Sequence, residues 1–229
     1  MSYRRHWESQ AENWAAWARA PGHDAYWKES GPPFFELLPP PGRASLDVGC
    51  GEGRVARDLR LRGHPVVGID SAQTLVRLAR EADPGGEYLV ADAAALPFDD
   101  ESFDLVVAFN SLMDIDDMPA AVREAARVLE ADGRLCACIT HPIRDAGRYE
   151  SRAPDAPLVM RGSYLDKRRY AAHEARAGYE VDFRGWAYPL SMYTRSFEDA
   201  GLLIEAFREP PDPDRAVPNF LLVRALKPV

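Results

Sequence analysis

Between residues 43 and 140, short apolar runs alternate with longer stretches of helical periodicity. This alternation predicts a parallel sheet wrapped by helices. Ala44 to Val48, Val66 to Ile69, Tyr88 to Val90, Phe103 to Phe109 and Arg134 to Thr140 read as five successive strands. Between them, Val55 to Leu61, Gln73 to Ala82 and Ala120 to Leu129 carry apolar residues at helical spacing. Gly63-His64-Pro65 and Asp132-Gly133 supply the stops. Right-handed crossovers then align the strands, so their carboxyl ends meet at one edge.

The flanks are less regular. Trp7 to Ala20 has neither proline nor glycine and carries Trp14 and Trp17 on one helical face, which predicts a helix that docks by its aromatics. It serves either as core packing or as a lid over a ligand. Pro39-Pro40-Pro41-Gly42 separates this 1–42 lid segment from a main domain over 43–229. Past His141-Pro142 the rhythm fails, and residues 141–187 mix arginines with tyrosines without a period. The prediction is a loop-rich cap insertion, extended near Tyr179 to Phe183, that closes over the sheet. A helix near Ser191 to Ala200 then ends at Gly201, and Leu202 to Phe207 and Asn219 to Leu226 read as a final edge hairpin.

Composition narrows the function. The 229 residues suit one α/β domain with modest additions. Lys plus Arg number 28 against 36 Asp plus Glu, a net charge of −8, which works against nucleic acid as a partner. No run approaches the roughly 20 apolar residues of a membrane helix, and Arg4, Arg5 and His6 precede no apolar signal core. A cytoplasmic protein acting on small molecules, with no membrane partner, is expected. Cys136 and Cys138, two apart in a strand, share a face and read as packed thiols. The five histidines are scattered without ligand spacing, so no metal is expected.

Three strand ends carry candidate chemistry. Asp47-Val48-Gly49-Cys50-Gly51-Glu52-Gly53 leaves the first strand, turns on three glycines and enters a helix, an arrangement that brings backbone N–H groups close to a ligand. A dinucleotide fingerprint needs its third glycine at position six, where Arg54 stands. Asp70 ends the second strand about 20 residues on, where a carboxylate accepts the hydroxyls of a ribose. Asp92 with Ala93 ends the third, where a carboxylate and a backbone N–H suit adenine.

With Leu96-Pro97-Phe98, Ser102-Phe103-Asp104-Leu105-Val106 and Arg127-Val128-Leu129 leading to Gly133, these motifs make the chain resemble the class I S-adenosylmethionine-dependent methyltransferases. The similarity is to their small-molecule group, which includes the ubiquinone-biosynthesis enzymes. It is close over about 43 to 140 and loose in the C-terminal third. The resemblance implies a doubly wound, Rossmann-like, seven-stranded, mostly parallel sheet of order 3-2-1-4-5-7-6, with strand seven antiparallel. It also implies S-adenosylmethionine as cofactor. Gly49, Cys50, Gly51 and Gly53 would meet its methionine part and Asp47 its ammonium through water. Asp70 beside Ser71 would take the ribose, and Asp92 with Ala93 the adenine. Asn110 and Ser111 would line the methyl-donor side, with Trp14 covering the cofactor from the lid.

Methyl transfer from a sulfonium is a direct displacement that chiefly needs alignment and exclusion of water. A hydroxyl or ammonium acceptor must also lose a proton. His141, directly after the fifth strand, and His23, beside the lid, are the candidate general bases, against a plain reading of each as a solvated or packed ring. The insertion arginines are either a solvated face or a grip on a carboxylate- or phosphate-bearing acceptor. Two rivals keep the same site: another outcome of the bound cofactor, such as a different group transfer or a cyclisation, and a binding module without turnover. The acceptor, the methylated atom and the oligomeric state stay open.

Overall fold

The computed structural model describes residues 2–20, 26–176 and 178–229. Helix α1, Tyr3–Arg19, leads to a π-helical turn, Tyr26–Ser30, and helix α2, Gly31–Leu37. The alternating core follows as β1 (Ser45–Val48), α3 (Arg54–Leu61), β2 (Val66–Asp70), α4 (Gln73–Ala82), β3 (Glu87–Val90), β4 (Phe103–Phe109), α5 (Met118–Val128) and β5 (Leu129–Thr140). A short helix α6, Pro142–Ala146, opens the insertion, which continues as β6 (Gly147–Tyr149), β7 (Leu158–Met160), β8 (Arg168–Arg176) and β9 (Tyr179–Ala187). Helix α7, Leu190–Asp199, and strands β10 (Leu203–Arg208) and β11 (Phe220–Leu226) close the chain.

Seven strands form one sheet in the order β3-β2-β1-β4-β5-β11-β10. β11 runs antiparallel to both β5 and β10, and the other pairings are parallel. The Rossmann-like sheet expected from the motifs, with its reversed seventh strand, is thus present.

The two-residue period of the central strands divides the core between the faces. Val106 and Ala108 of β4, with Leu135, Ala137 and Ile139 of β5, pack with Met118 and Val122 of α5 and Phe197 of α7. On the opposite face, Leu105, Val107 and Phe109 join Cys136 and Cys138 against Phe34 and Leu37 of α2 and Val55 and Leu59 of α3. Cys136 and Cys138 are therefore buried free thiols, as the spacing indicates. Burial pushes Cys136 up to about 12 and Cys138 well above the usual thiol range.

Two elements depart from the expectation, each for a physical reason. α1 starts at Tyr3, four residues early, because the Tyr3 N–H donates to both carboxylate oxygens of Asp116 at 3.3 Å. That cap comes from more than a hundred residues away. α2, for which the sequence pattern predicts no element, starts with Pro32 and Pro33 in its first turn, where no N–H is missed. The 1–42 segment accordingly divides: α1 stands apart, while Phe34 and Leu37 belong to the sheet's core.

The insertion is more ordered than a loop-rich reading allows. β6 pairs with β7, and β8 pairs with β9 over nine residue pairs, both antiparallel. The far half of β8 is exposed on both faces, whereas β9 keeps Val181 buried, so β8 carries no apolar alternation.

Phe34 is fully buried, with its ring edge-on to Phe109 at 4.9 Å between centroids. Phe34→Ala is expected to lower unfolding stability by about 3 to 5 kcal/mol, measured by urea denaturation. A loss below about 1 kcal/mol would mean that α2 is not part of the core.

Candidate functional site

The loops after β1, β2, β3, β4 and β5 open onto one cavity of about 830 Å3. This is the size of a small-molecule site, and it lies at the carboxyl edge of the sheet, where open α/β folds bind ligands. Gly49, Cys50, Gly51, Asp70, Ser71, Asp92, Ala93, Asn110, Ser111 and Trp14 all line it.

Backbone hydrogen bonds assemble the floor. The N–H groups of Gly49 and Cys50 donate to the Ile69 carbonyl, each at 2.8 Å. Asp70 accepts from Gly51 N at 3.0 Å and from Ala72 N at 2.8 Å, tying the loop after β1 to the loop after β2. Burial raises the Asp70 carboxyl to about 6, opposed by these donors. The Ser111 hydroxyl donates to the Val48 carbonyl at 2.6 Å. Gly49, at φ +73°, makes this approach possible, because a Cβ there would stand 2.4 Å from the Cβ of Ser111. Asp92 accepts from Ala94 N at 2.9 Å, which orients its carboxylate at the end of β3.

The roof comes from outside the core. Trp14 lies over the glycine loop, its Nε1 at 3.2 Å from where a Gly51 Cβ would be. Phe183 of β9 stands edge-on to Trp14 and Trp7, at 5.9 and 6.3 Å between ring centroids. α1 is fixed to the cap where Tyr3 donates to the Gly185 carbonyl at 2.9 Å and the Asp182 N–H donates to Gln10 at 3.1 Å. It is fixed to the core where Thr74 donates to Glu8 at 2.6 Å and Arg19 pairs with buried Glu52 at 2.9 Å.

Three expected site residues are not among those lining the cavity. Asp47 is 1% exposed and does not line the cavity; it sits beneath the loop, with its Oδ2 buried and without a hydrogen-bond partner. Gly53, left-handed at φ +85°, is also absent from the lining, and a Cβ there would meet Ala79 and Tyr88 at 3.0 Å. It therefore serves the packing of α3 on its neighbours. The His141 ring turns away from the cavity: Nδ1 accepts from Ile143 N at 3.2 Å and caps α6, while Nε2 is 2.9 Å from Glu209. Pro142 starts a helix and leaves the preceding ring as its cap. His23 lies outside the described residues.

Other groups line the part of the cavity beyond Asn110. Tyr170 donates to Asp114 at 3.2 Å, and Thr140 donates to Asp145. Burial holds the Asp114 carboxyl well above its usual range and raises Asp145 to about 6. The available signal was position alone, since both acids closely follow the ends of β4 and β5. Among the described residues, no cluster of His, Cys, Asp and Glu can hold a metal ion, and no helix is long and apolar enough to cross a membrane.

Adjacent acidic strand ends, a glycine loop and an aromatic roof around one cavity define a nucleoside-binding α/β protein, and these residues fit S-adenosylmethionine. A family model described as a methyltransferase domain matches residues 46–137. The chain is 31% identical over 194 residues to a demethylmenaquinone methyltransferase of Roseiflexus castenholzii, covering 82% of this chain and 74% of that one. It is 33% identical over 178 residues to the 27-O-demethylrifamycin SV methyltransferase of Amycolatopsis mediterranei, covering 73% and 64%. An S-adenosylmethionine-dependent methyltransferase structure from Mesorhizobium loti superposes with a TM-score of 0.68 at 25% identity, covering 89% and 98%. The chain belongs to the class I S-adenosylmethionine-dependent methyltransferases. It spans about half to two thirds of the length of some curated relatives, 54% and 64% in two cases.

Burial, with the Asp70 charge beside it, raises Asp47 to about 7. The folded chain thus binds more protons than the unfolded chain between about pH 4 and 7, and this contribution to stability falls as pH rises through that window. Asp47→Asn is expected to gain stability relative to wild type by about 2 to 4 kcal/mol at pH 8, with the gain vanishing by pH 4. Urea unfolding across pH measures it, and a difference independent of pH would show that Asp47 titrates normally.

Proposed function

We propose that the chain is an S-adenosylmethionine-dependent methyltransferase acting on a small molecule. The observation that carries this reading is continuity: the cavity containing Asp70, Asp92 and the glycine loop runs past Asn110 and Ser111 to Thr140, Asp145 and Tyr170. Donor and acceptor share one enclosed space. The relatives that act on a quinone precursor and on a rifamycin support a small organic acceptor.

Bound S-adenosylmethionine supplies a methyl group activated by a sulfonium. The protein's own work is placement. Asp70 and Asp92 accept hydrogen bonds from the nucleoside part, the loop at Gly49 to Gly51 carries the amino-acid part, and Trp14 with Phe183 excludes water. Asp47 reaches the ligand only through the loop it supports, and Gly53 contributes by packing. Asp145 is the cavity carboxylate placed to accept a proton from the acceptor, since a group titrating near 6 is mostly ionised at neutral pH and still basic. Burial favours the neutral form of Asp114, whose Oδ1 accepts from the Tyr170 hydroxyl. His141 stands behind Asp145, whose N–H donates to the His141 carbonyl at 3.0 Å. His23 is a second candidate proton acceptor on its sequence position alone.

Calorimetric titration with S-adenosylmethionine is expected to show micromolar binding, with none for NADH. Asp70→Ala should weaken it by about 1.5 to 3 kcal/mol, and unchanged affinity would remove Asp70 from the site. Acceptors are then screened by mass for the gain of one methylene. Turnover without that gain would favour cyclisation or another transfer, and binding with no turnover of any acceptor would favour a binding module.

With an acceptor in hand, Asp145→Asn should lose most turnover while keeping cofactor affinity. The wild-type rate should fall below pH 6, as Asp145 takes up its proton. Full activity of Asp145→Asn, or of a His141→Ala variant alongside an unaffected pH profile, would clear the respective residue.

A further inference from the structure

A second, smaller space of about 350 Å3 opens beside the main cavity, lined by Arg144, Arg148, Tyr149, Ser151, Arg152 and Arg215. Arg144 and Arg148 line the main cavity as well, so the two spaces share a wall. Several arginines of the core are neutralised: Arg127 pairs with Glu124 and Asp100, and Arg134 and Arg224 both pair with Glu205. Among the described residues, none of the four pocket arginines forms an ion pair with a carboxylate. Arg215 donates to the carbonyls of Ala153 at 2.8 Å and Arg152 at 3.4 Å. It also lies over the Tyr149 ring at 4.5 Å, and Arg144 lies over the same ring at 5.1 Å. The Nε of Arg144 is buried without a hydrogen-bond partner.

Four guanidinium groups around one small space, in a chain of net charge −8, repel one another unless an anion sits among them. A buried donor without a partner is costly in the same way. Guanidinium forks match the oxygens of a phosphate. Tyr149 holds two of the cations in place through its face, so the group is partly preorganised. The wall shared with the main cavity, formed by Arg144 and Arg148, places an anion here beside the space that Asp145 lines.

We propose that this pocket binds the phosphate of a phosphomonoester acceptor, whose organic part lies in the main cavity against Asp145; the acceptor role rests on the methyltransferase reading above, whereas the anion site does not. Inorganic phosphate, phenyl phosphate and benzoate are titrated calorimetrically into the full chain at low salt, and S-adenosylhomocysteine is titrated separately. Phenyl phosphate is expected to bind at least fivefold more tightly than phosphate and than benzoate. Arg148→Gln and Arg215→Gln should each weaken it at least tenfold, with S-adenosylhomocysteine affinity unchanged, while the exposed Arg195→Gln leaves both unaltered.

Absence of phosphate and phenyl phosphate binding, or binding indifferent to Arg148→Gln and Arg215→Gln, would overturn the pocket. Equal affinity for phosphate and phenyl phosphate would overturn the acceptor assignment and leave a free anion as the ligand. Preference for benzoate would replace phosphate by carboxylate and overturn the proposed class. Failure of S-adenosylhomocysteine to bind, with phenyl phosphate still dependent on the two arginines, would reject the methyltransferase reading and not the anion site.

Discussion

The carboxylate of Asp70 holds the site together. It accepts one backbone N–H from the loop after β1 and another from the start of α4, each a charge-assisted bond within a site that disfavours the charge itself. The loop it fixes carries Gly49 against Ser111, and Ser111 returns a hydrogen bond to the end of β1. Asn110, left-handed at φ +51°, donates its N–H to the Cys138 carbonyl at 2.8 Å. The ends of β1, β2, β4 and β5 thus form one piece, and a displacement at any of them moves the cavity floor.

The roof has a different logic. α1 touches both the core, through Glu8, Glu12 and Arg19, and the long hairpin, through Tyr3, His6 and Gln10. Its start is capped by Asp116 from the loop after β4. Because Glu52 sits in the glycine loop and is shared by Arg19 and Arg57, the roof is linked to the floor by an ion pair between a part-exposed arginine and a buried carboxylate. Such a pair is weak evidence for stability, and its more direct consequence here is register: it sets Trp14 above Gly51.

The parallel sheet and the acidic ends of β2 and β3 were legible in the sequence because strand periodicity locates where each strand stops. A residue at that stop faces the edge whatever the remainder does. Asp47, Gly53 and His141 sit off the cavity lining for reasons that chain position does not reveal: Asp47 is buried beneath the loop, Gly53 faces Ala79 and Tyr88 where a Cβ would crowd, and His141 caps the helix that Pro142 starts. Strand β8 offered no alternation to read, since much of it meets solvent on both sides. Asp114 and Asp145 owe their altered proton affinity to burial among Tyr170 and Thr140, residues that only the folded chain brings to them.

The cavity lining carries charge of both signs: Asp70, Asp92, Asp114 and Asp145 line it together with Arg54, Arg144 and Arg148. In a low-dielectric enclosure such charges act more strongly on one another and on a bound group than they would in water. The balance of the two signs within the cavity, and not the net acidity of the chain, therefore sets the local field.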